Sequence, residues 1–301
     1  MAESLSTVLT TMEPTLLTTG WGRTEGPLWH AGGSVTFVDL AGSRLLRWDP
    51  ADSVVTVVRE QTGEGNGCTL DLQGRLIMCE GADHRRMTRM DAAGTVTTLA
   101  DRWHGKRFNK PNDVVCRSDG SIFFTDPELR LPAAQREIGF SGVFRLDPQG
   151  QVHLATDACE YPNGLAFSPD ESLLYVAISR LDERCFEEEA RGAVCTHRRI
   201  RAFDVAPDGS LSHNRVFCDM SSAAPGVPDG LKVDTVGRVF CVGSGGIWVM
   251  APSGDVIGII PMPEVVRNLA FGGPDARTLY LTPGGSLSTL EVRTPGIGAC
   301  R

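Results

Sequence analysis

No two of the nine cysteines in this 301-residue sequence fall in a CxxC or CxxxC pair. An odd number of widely spaced thiols argues against a zinc site or a disulfide framework. It reads instead as reduced cysteines, buried as small apolar residues, in a cytoplasmic protein. No apolar run approaches the roughly 18 residues that a membrane-spanning helix requires, so no membrane association is expected. The opening MAESLSTVLTTMEPTLL has no basic segment followed by an apolar one, and no secretory signal is expected. Long basic runs are missing too. The 29 Lys and Arg against 37 Asp and Glu leave a net charge of −8, which argues against nucleic acid as a partner. Helical periodicity is almost absent, so a two-domain α/β chain is a poor reading. Glycine has no three-residue period, which excludes collagen. With 41% hydrophobic and 22% charged residues the chain is not disordered.

What the sequence has in excess is Gly and Pro. Its 34 Gly and 18 Pro make up about 17% of the residues, against roughly 12% in average usage. Many tight turns imply many short strands. A unit recurs six times: a short apolar strand, an Asp/Gly or Pro-Asp turn, a second strand, a loop, and a third strand. The copies begin EGPLWHAGGSVTFVDL at Glu25, NGCTLDLQGRLIMCE at Asn66, NDVVCRSDGSIFFTDP at Asn112, NGLAFSPDESLLYVAIS at Asn163, DGLKVDTVGRVFCVG at Asp229 and NLAFGGPDARTLYLTPGG at Asn268. A fourth strand follows five of them, at Val54–Val58, Val96–Leu99, Val152–Leu154, Arg215–Cys218 and Val256–Ile260. Four short strands per repeat of roughly 40–50 residues predict β-propeller blades. The expectation is an all-β, six-bladed β-propeller, one domain over residues 1–301. The N-terminal stretch around Thr15–Thr19 would supply the missing strand and close the ring.

The register of the repeats carries a functional signal. Each copy opens on Glu25, Asn66, Asn112, Asn163, Asp229 or Asn268. The first strand of a blade lies beside the central channel, so these six side chains should converge on the axis at one height. Oxygen ligands of this kind suit a hard cation. No His or Cys occupies a ring position, which disfavours a softer site. The expected cofactor is a divalent metal, Ca²⁺ first, with Mg²⁺, Mn²⁺, Zn²⁺ and Fe²⁺ as alternatives. Glu25, Asn112, Asn163 and Asp229 are the candidate ligands; Asn66 and Asn268 would bond to neighbours, with Asn66 also a candidate substrate contact. The competing reading is that Asn-Gly and Asp-Gly pairs are ordinary turn formers.

The loop after each second strand should emerge at the ring's face. Two such loops are long, Asp126–Ser141 and Ser179–Arg199, and bring Glu128, Arg130, Arg180, Asp182 and an EEEA run to the channel mouth. The EEEA run reads as a short solvated helix. His84, in the corresponding loop of the second blade, is a candidate substrate contact or a solvated loop histidine. RFNKPND places Arg107 and Asn109 just before the third ring position. A cation there would bind substrate hydroxyls or an anionic group, or simply lie on the surface.

EGPLW, RFNKPND followed by DGSIFFTDP, YPNGLAFSPDESLLYVA, PGVPDGLKVD and NLAFGGPDARTLYLT resemble the gluconolactonase/senescence-marker-protein (regucalcin) family, from about Thr24 to Val292. The resemblance implies a six-bladed propeller with a divalent metal in the central channel and hydrolysis of sugar lactones. It implies Glu25, Asn163 and Asp229 as metal ligands, Asn112 as ligand or substrate contact, and Arg107 and Glu128 as substrate-binding positions. The insertion over 180–196 and the tail SLSTLEVRTPG depart from the family's pattern. The expected reaction is metal-assisted opening of a lactone. The cation would polarise the ester carbonyl, and either Asp229 or the metal itself would activate the attacking water. Phosphotriester hydrolysis on the same scaffold and a non-enzymatic calcium- or ligand-binding propeller are the alternatives. A serine nucleophile is not expected, because no GxSxG sits on a strand-to-helix turn. The expected partner is a small lactone, bound by a monomer or small homo-oligomer.

Overall fold

Each repeat becomes one four-stranded antiparallel sheet, and the six sheets form the blades of a propeller. The computed structural model describes residues 3–81, 84–128, 131–180, 187, 190–194 and 196–299. The inner strands of the six blades are Thr24–Trp29, Gly65–Leu70, Val114–Cys116, Pro162–Phe167, Leu231–Val233 and Val266–Gly272. Among the described residues no helix is long and apolar enough to cross a membrane.

Burial falls from the axis outwards. Second strands such as Val35–Asp39, Ile122–Asp126 and Val239–Gly243 are buried at every position. They therefore read as continuous apolar runs, as strands covered on both faces do. Outer strands such as Val54–Glu60 and Leu211–Asp219 are largely exposed, and even their valines, such as Val54, Val57 and Val216, face solvent. Six apolar clusters hold the blades together, each built from two neighbouring blades. The second and third blades meet through edge-to-face and stacked rings of Phe108, Phe124 and Phe144, with Trp103 against Phe144.

The sixth sheet takes its outer strand from the other end of the chain. Thr15–Thr19 runs antiparallel to Ser286–Glu291, pairing Thr15 with Thr289 and Thr19 with Ser286. Just before it, a one-turn helix, Leu5–Val8, buries Val8, and Leu9 bridges Val292. Both apolar side chains join the cluster between the fifth and sixth blades. The last two blades are thus tied down by residues from both ends of the chain.

The Asn-Gly and Asp-Gly pairs of the ring are not hairpin turns. Glu25, Asn66, Asn163 and Asn268 lie on inner strands, and each of those strands has a register irregularity at that point. A bulge turns a side chain out of the sheet plane, here towards the channel. Asn112 and Asp229 sit just ahead of their strands. The glycine that follows makes room for the next blade. A Cβ on Gly164 would lie 2.3 Å from the Asp229 carbonyl oxygen, and one on Gly230 would lie 2.0 Å from Asn268 Oδ1.

The sixth and first blades close the ring through one apolar cluster. Leu287 is fully buried there against Phe37, Leu46 and Tyr280. Leu287→Ala should lower the unfolding free energy by about 2–5 kcal/mol, measured by denaturant titration. A loss below about 1 kcal/mol would show that the interface does not carry the ring's closure.

Candidate functional site

Five of the six ring residues line one cavity of about 320 Å³: Glu25, Asn66, Asn112, Asn163 and Asp229. Asn268, the sixth, lies beneath it. Its Nδ2 donates to Glu25 Oε2 at 3.1 Å, and its Oδ1 accepts from the Leu269 amide at 2.9 Å. Glu25 Oε2 also accepts from the Gly26 amide at 2.8 Å. Both bonds go to one oxygen, leaving Oε1 for the cavity. Asn163 is oriented by Ser179. The Ser179 hydroxyl donates to the Pro228 carbonyl at 2.6 Å and accepts from Asn163 Nδ2 at 3.0 Å. A carboxamide whose NH₂ group is held in this way presents its carbonyl oxygen elsewhere.

The electrostatics of the ring are strained. Burial raises the Glu25 carboxyl to about 7, and the nearby Asp113 charge adds to the effect against the Gly26 and Asn268 hydrogen bonds. Asp229 is raised well above the ordinary carboxylate range, first by burial and then by the charges of Glu25 and Asp113, with Arg267 and Asn163 opposing. Asp113 is raised by burial as well, with Lys232 opposing at 4.0 Å. Carboxylates buried close together either take up protons or meet a cation.

The donor set fits a hard divalent ion. It offers oxygens only, from two carboxylates and the carboxamides of Asn112 and Asn163. Among the described residues no three His, Cys, Asp or Glu side chains cluster to hold a metal. A cation here would therefore depend on the asparagines as well as the carboxylates.

Five residues singled out from the sequence do not line the cavity. His84 lies in a separate surface groove beside Ser43 and Gln61, its Nδ1 2.6 Å from Glu80 Oε2. Arg107, on a short hairpin after the second blade, donates through Nη2 to the His84 carbonyl at 3.1 Å and through its backbone amide to Glu137. Asn109 is fully buried, donating through Nδ2 to the Phe140 carbonyl at 2.9 Å. It anchors the loop; it does not face the channel. Glu128 pairs with Arg136 at 2.9 Å. Arg180 bonds to the carbonyl and hydroxyl of Thr196. Arg130, Asp182 and the middle of the EEEA run lie outside the described residues.

The cations at the cavity are others: Arg23, Lys110 and Arg267, with Glu64 opposite Lys110 at 3.2 Å. Lys110 lies in RFNKPND, three residues beyond the arginine chosen from the sequence. Arg267 directly precedes ring residue Asn268, a position that the register alone could have flagged. Nothing in the sequence distinguished Ser179 from other loop serines.

The Glu25 carboxyl sets a pH test. Its ordinary value is 4.5 and the fold raises it to about 7. It is protonated in both folded and unfolded chains below its ordinary value. Between its ordinary value and about 7 the unfolded chain ionises while the folded chain stays protonated, so stability falls as pH rises across that window and levels off above it. A divalent cation should recover that loss. The rise in melting temperature on adding calcium to chelator-treated protein should therefore be larger at pH 8 than at pH 5.5. An equal rise at both values would contradict the assignment.

Comparison with known proteins identifies the family. The SMP-30/Gluconolactonase/LRE-like region matches residues 23–284. A gluconolactonase of Zymomonas mobilis is 28% identical over 297 residues, spanning 91% of this chain and 79% of that protein. A pentonolactonase of Haloferax volcanii is 29% identical, spanning 87% of this chain and 81% of its own. The solved structure of a gluconolactonase from Xanthomonas campestris superposes with a TM-score of 0.82 at 34% identity, covering 96% of this chain and 92% of that one. This chain belongs to the SMP-30/gluconolactonase/LRE-like family.

Proposed function

We propose that this protein is a lactonase that opens a sugar-type lactone in the ring cavity with the help of a bound divalent cation. The observation that carries the reading is the convergence of Glu25, Asn112, Asn163 and Asp229 on one cavity, in a family whose relatives are named for gluconolactone and pentonolactone hydrolysis. Those four residues would hold the cation, with Ca²⁺ the best match to an oxygen-only set. When bound, a divalent cation supplies Lewis-acid polarisation of the ester carbonyl.

The chain's own residues supply the rest. Asp229 holds the attacking water and accepts its proton as the oxygen adds to the carbonyl carbon. The carbon–oxygen bond of the ring then breaks, and the proton returns from Asp229 to the ring oxygen, leaving a hydroxy acid. Glu25 is fixed by Gly26 and Asn268, and Asn163 by Ser179, so the site is organised before substrate arrives. Lys110 and Asn66 face the cavity and are placed to meet substrate hydroxyls.

Proton release should be followed on an aldonolactone, an aromatic lactone and an organophosphate triester, each with and without chelator. Chelator-sensitive turnover of the aldonolactone is expected. Preferential turnover of the triester would move the chemistry to phosphorus, and no turnover of any ester would favour a binding protein. Asp229→Ala should lower kcat/KM by at least about a hundredfold; full activity would remove Asp229 from its role. Ser179→Ala frees Asn163 and should weaken calcium binding by about 10- to 100-fold by calorimetry. Unchanged affinity would show that Asn163 needs no such support.

A further inference from the structure

The ring cavity holds more positive charge than the opening of a neutral lactone uses. Arg23, Lys110 and Arg267 line it. Lys110 is matched by Glu64 at 3.2 Å. The two arginines come from neighbouring blades. Arg267 directly precedes Asn268 on the inner strand of the sixth blade, and Arg23 directly precedes the inner strand of the first. Arg267 Nη1 donates to the Gly284 carbonyl at 3.1 Å. Arg23 has a buried Nε with no hydrogen-bond partner.

The pair is costly as it stands. Burial holds Arg267 below its ordinary value; the Arg23 charge adds to this, while Glu25, Asp229 and Glu264 oppose it. Two neighbouring guanidiniums repel unless an anion lies between them, and a planar fork of donors is the usual means of holding a carboxylate, sulfonate or phosphate. Of the carboxylates near Arg267, Glu25 and Asp229 are the ring's own oxygens. Any cation held by the ring takes up their charge and leaves two arginines against the single carboxylate of Glu264.

We propose that the substrate carries a second, permanently anionic group, seated between Arg23 and Arg267 while its lactone ring lies over Glu25 and Asp229. This rests on the lactonase reading and names the substrate class within it: the lactone of an acidic sugar, bearing a carboxylate, sulfonate or phosphate away from the ester. Lys110 and Glu64 are left for neutral hydroxyls.

The test compares kcat/KM for D-glucono-lactone with that for the glucaric acid lactone, which differs by one carboxylate, and for the 6-sulfonate analogue. The anionic lactones should be favoured by about tenfold or more at low ionic strength, with the advantage shrinking as salt is added. Arg23→Ala should lose about tenfold more on the anionic lactones than on the neutral one, and Arg23→Lys should recover part of the difference. In calorimetry, D-glucarate should bind chelator-treated wild type about tenfold more tightly than Arg23→Ala. Equal kcat/KM for neutral and anionic lactones, or an anionic advantage that survives in both Arg23→Ala and Arg267→Ala, would overturn the proposal. Failure to hydrolyse any lactone would instead defeat the lactonase reading. The glucarate titration would then decide the anion site by itself, in favour if binding depends on Arg23 and against if it does not.

Discussion

Two carboxylates, Glu25 and Asp229, share one recessed channel, and the rest of the molecule is arranged around the cost of keeping them there. In water such groups would be ionised and apart. Here burial pushes both towards the neutral form, helped by the charge of Asp113 on Glu25 and by those of Glu25 and Asp113 on Asp229, so the channel favours anything that brings positive charge to the axis. The propeller supplies the rigidity. Six apolar clusters lock each blade to the next, and the N-terminal strand closes the sixth sheet. Ring positions on different blades therefore cannot drift apart to relieve the repulsion.

Local devices turn that rigid frame into a site. Bulges on four inner strands direct side chains into the channel, and small residues let neighbouring blades approach at the axis. Asn268 and Ser179 then spend their own hydrogen bonds on aiming Glu25 and Asn163. These supports lie behind the cavity surface. They fix which oxygen atoms face the interior, and so which chemistry the interior can support.

The blades and ring were readable in the sequence because each repeat carries its own register. Gly- and Pro-marked turns space the short strands, and the opening Glu, Asn or Asp recurs at one point of every blade. The mouth was not readable in the same way. Arg107 and Asn109 stand in a non-repeating loop, where hydrogen bonds to His84, Glu137 and Phe140 decide the direction of the chain. In the same motif it is Lys110 that reaches the cavity. Arg23 and Arg267 were passed over because they flank ring positions without being part of the repeated residue. His84 was drawn out of consideration by a buried partner, Glu80, whose other bonds go to Arg59, Arg86 and Thr88.

The central claim is that the two carboxylates are kept in the channel to hold a divalent cation. The most direct test is elemental analysis of protein purified without added metal, as wild type and as Glu25→Gln. The account predicts about one divalent ion per chain in the wild type and its loss in the variant. A wild type free of divalent metal even after calcium is supplied, or a variant that retains the ion in full, would contradict it.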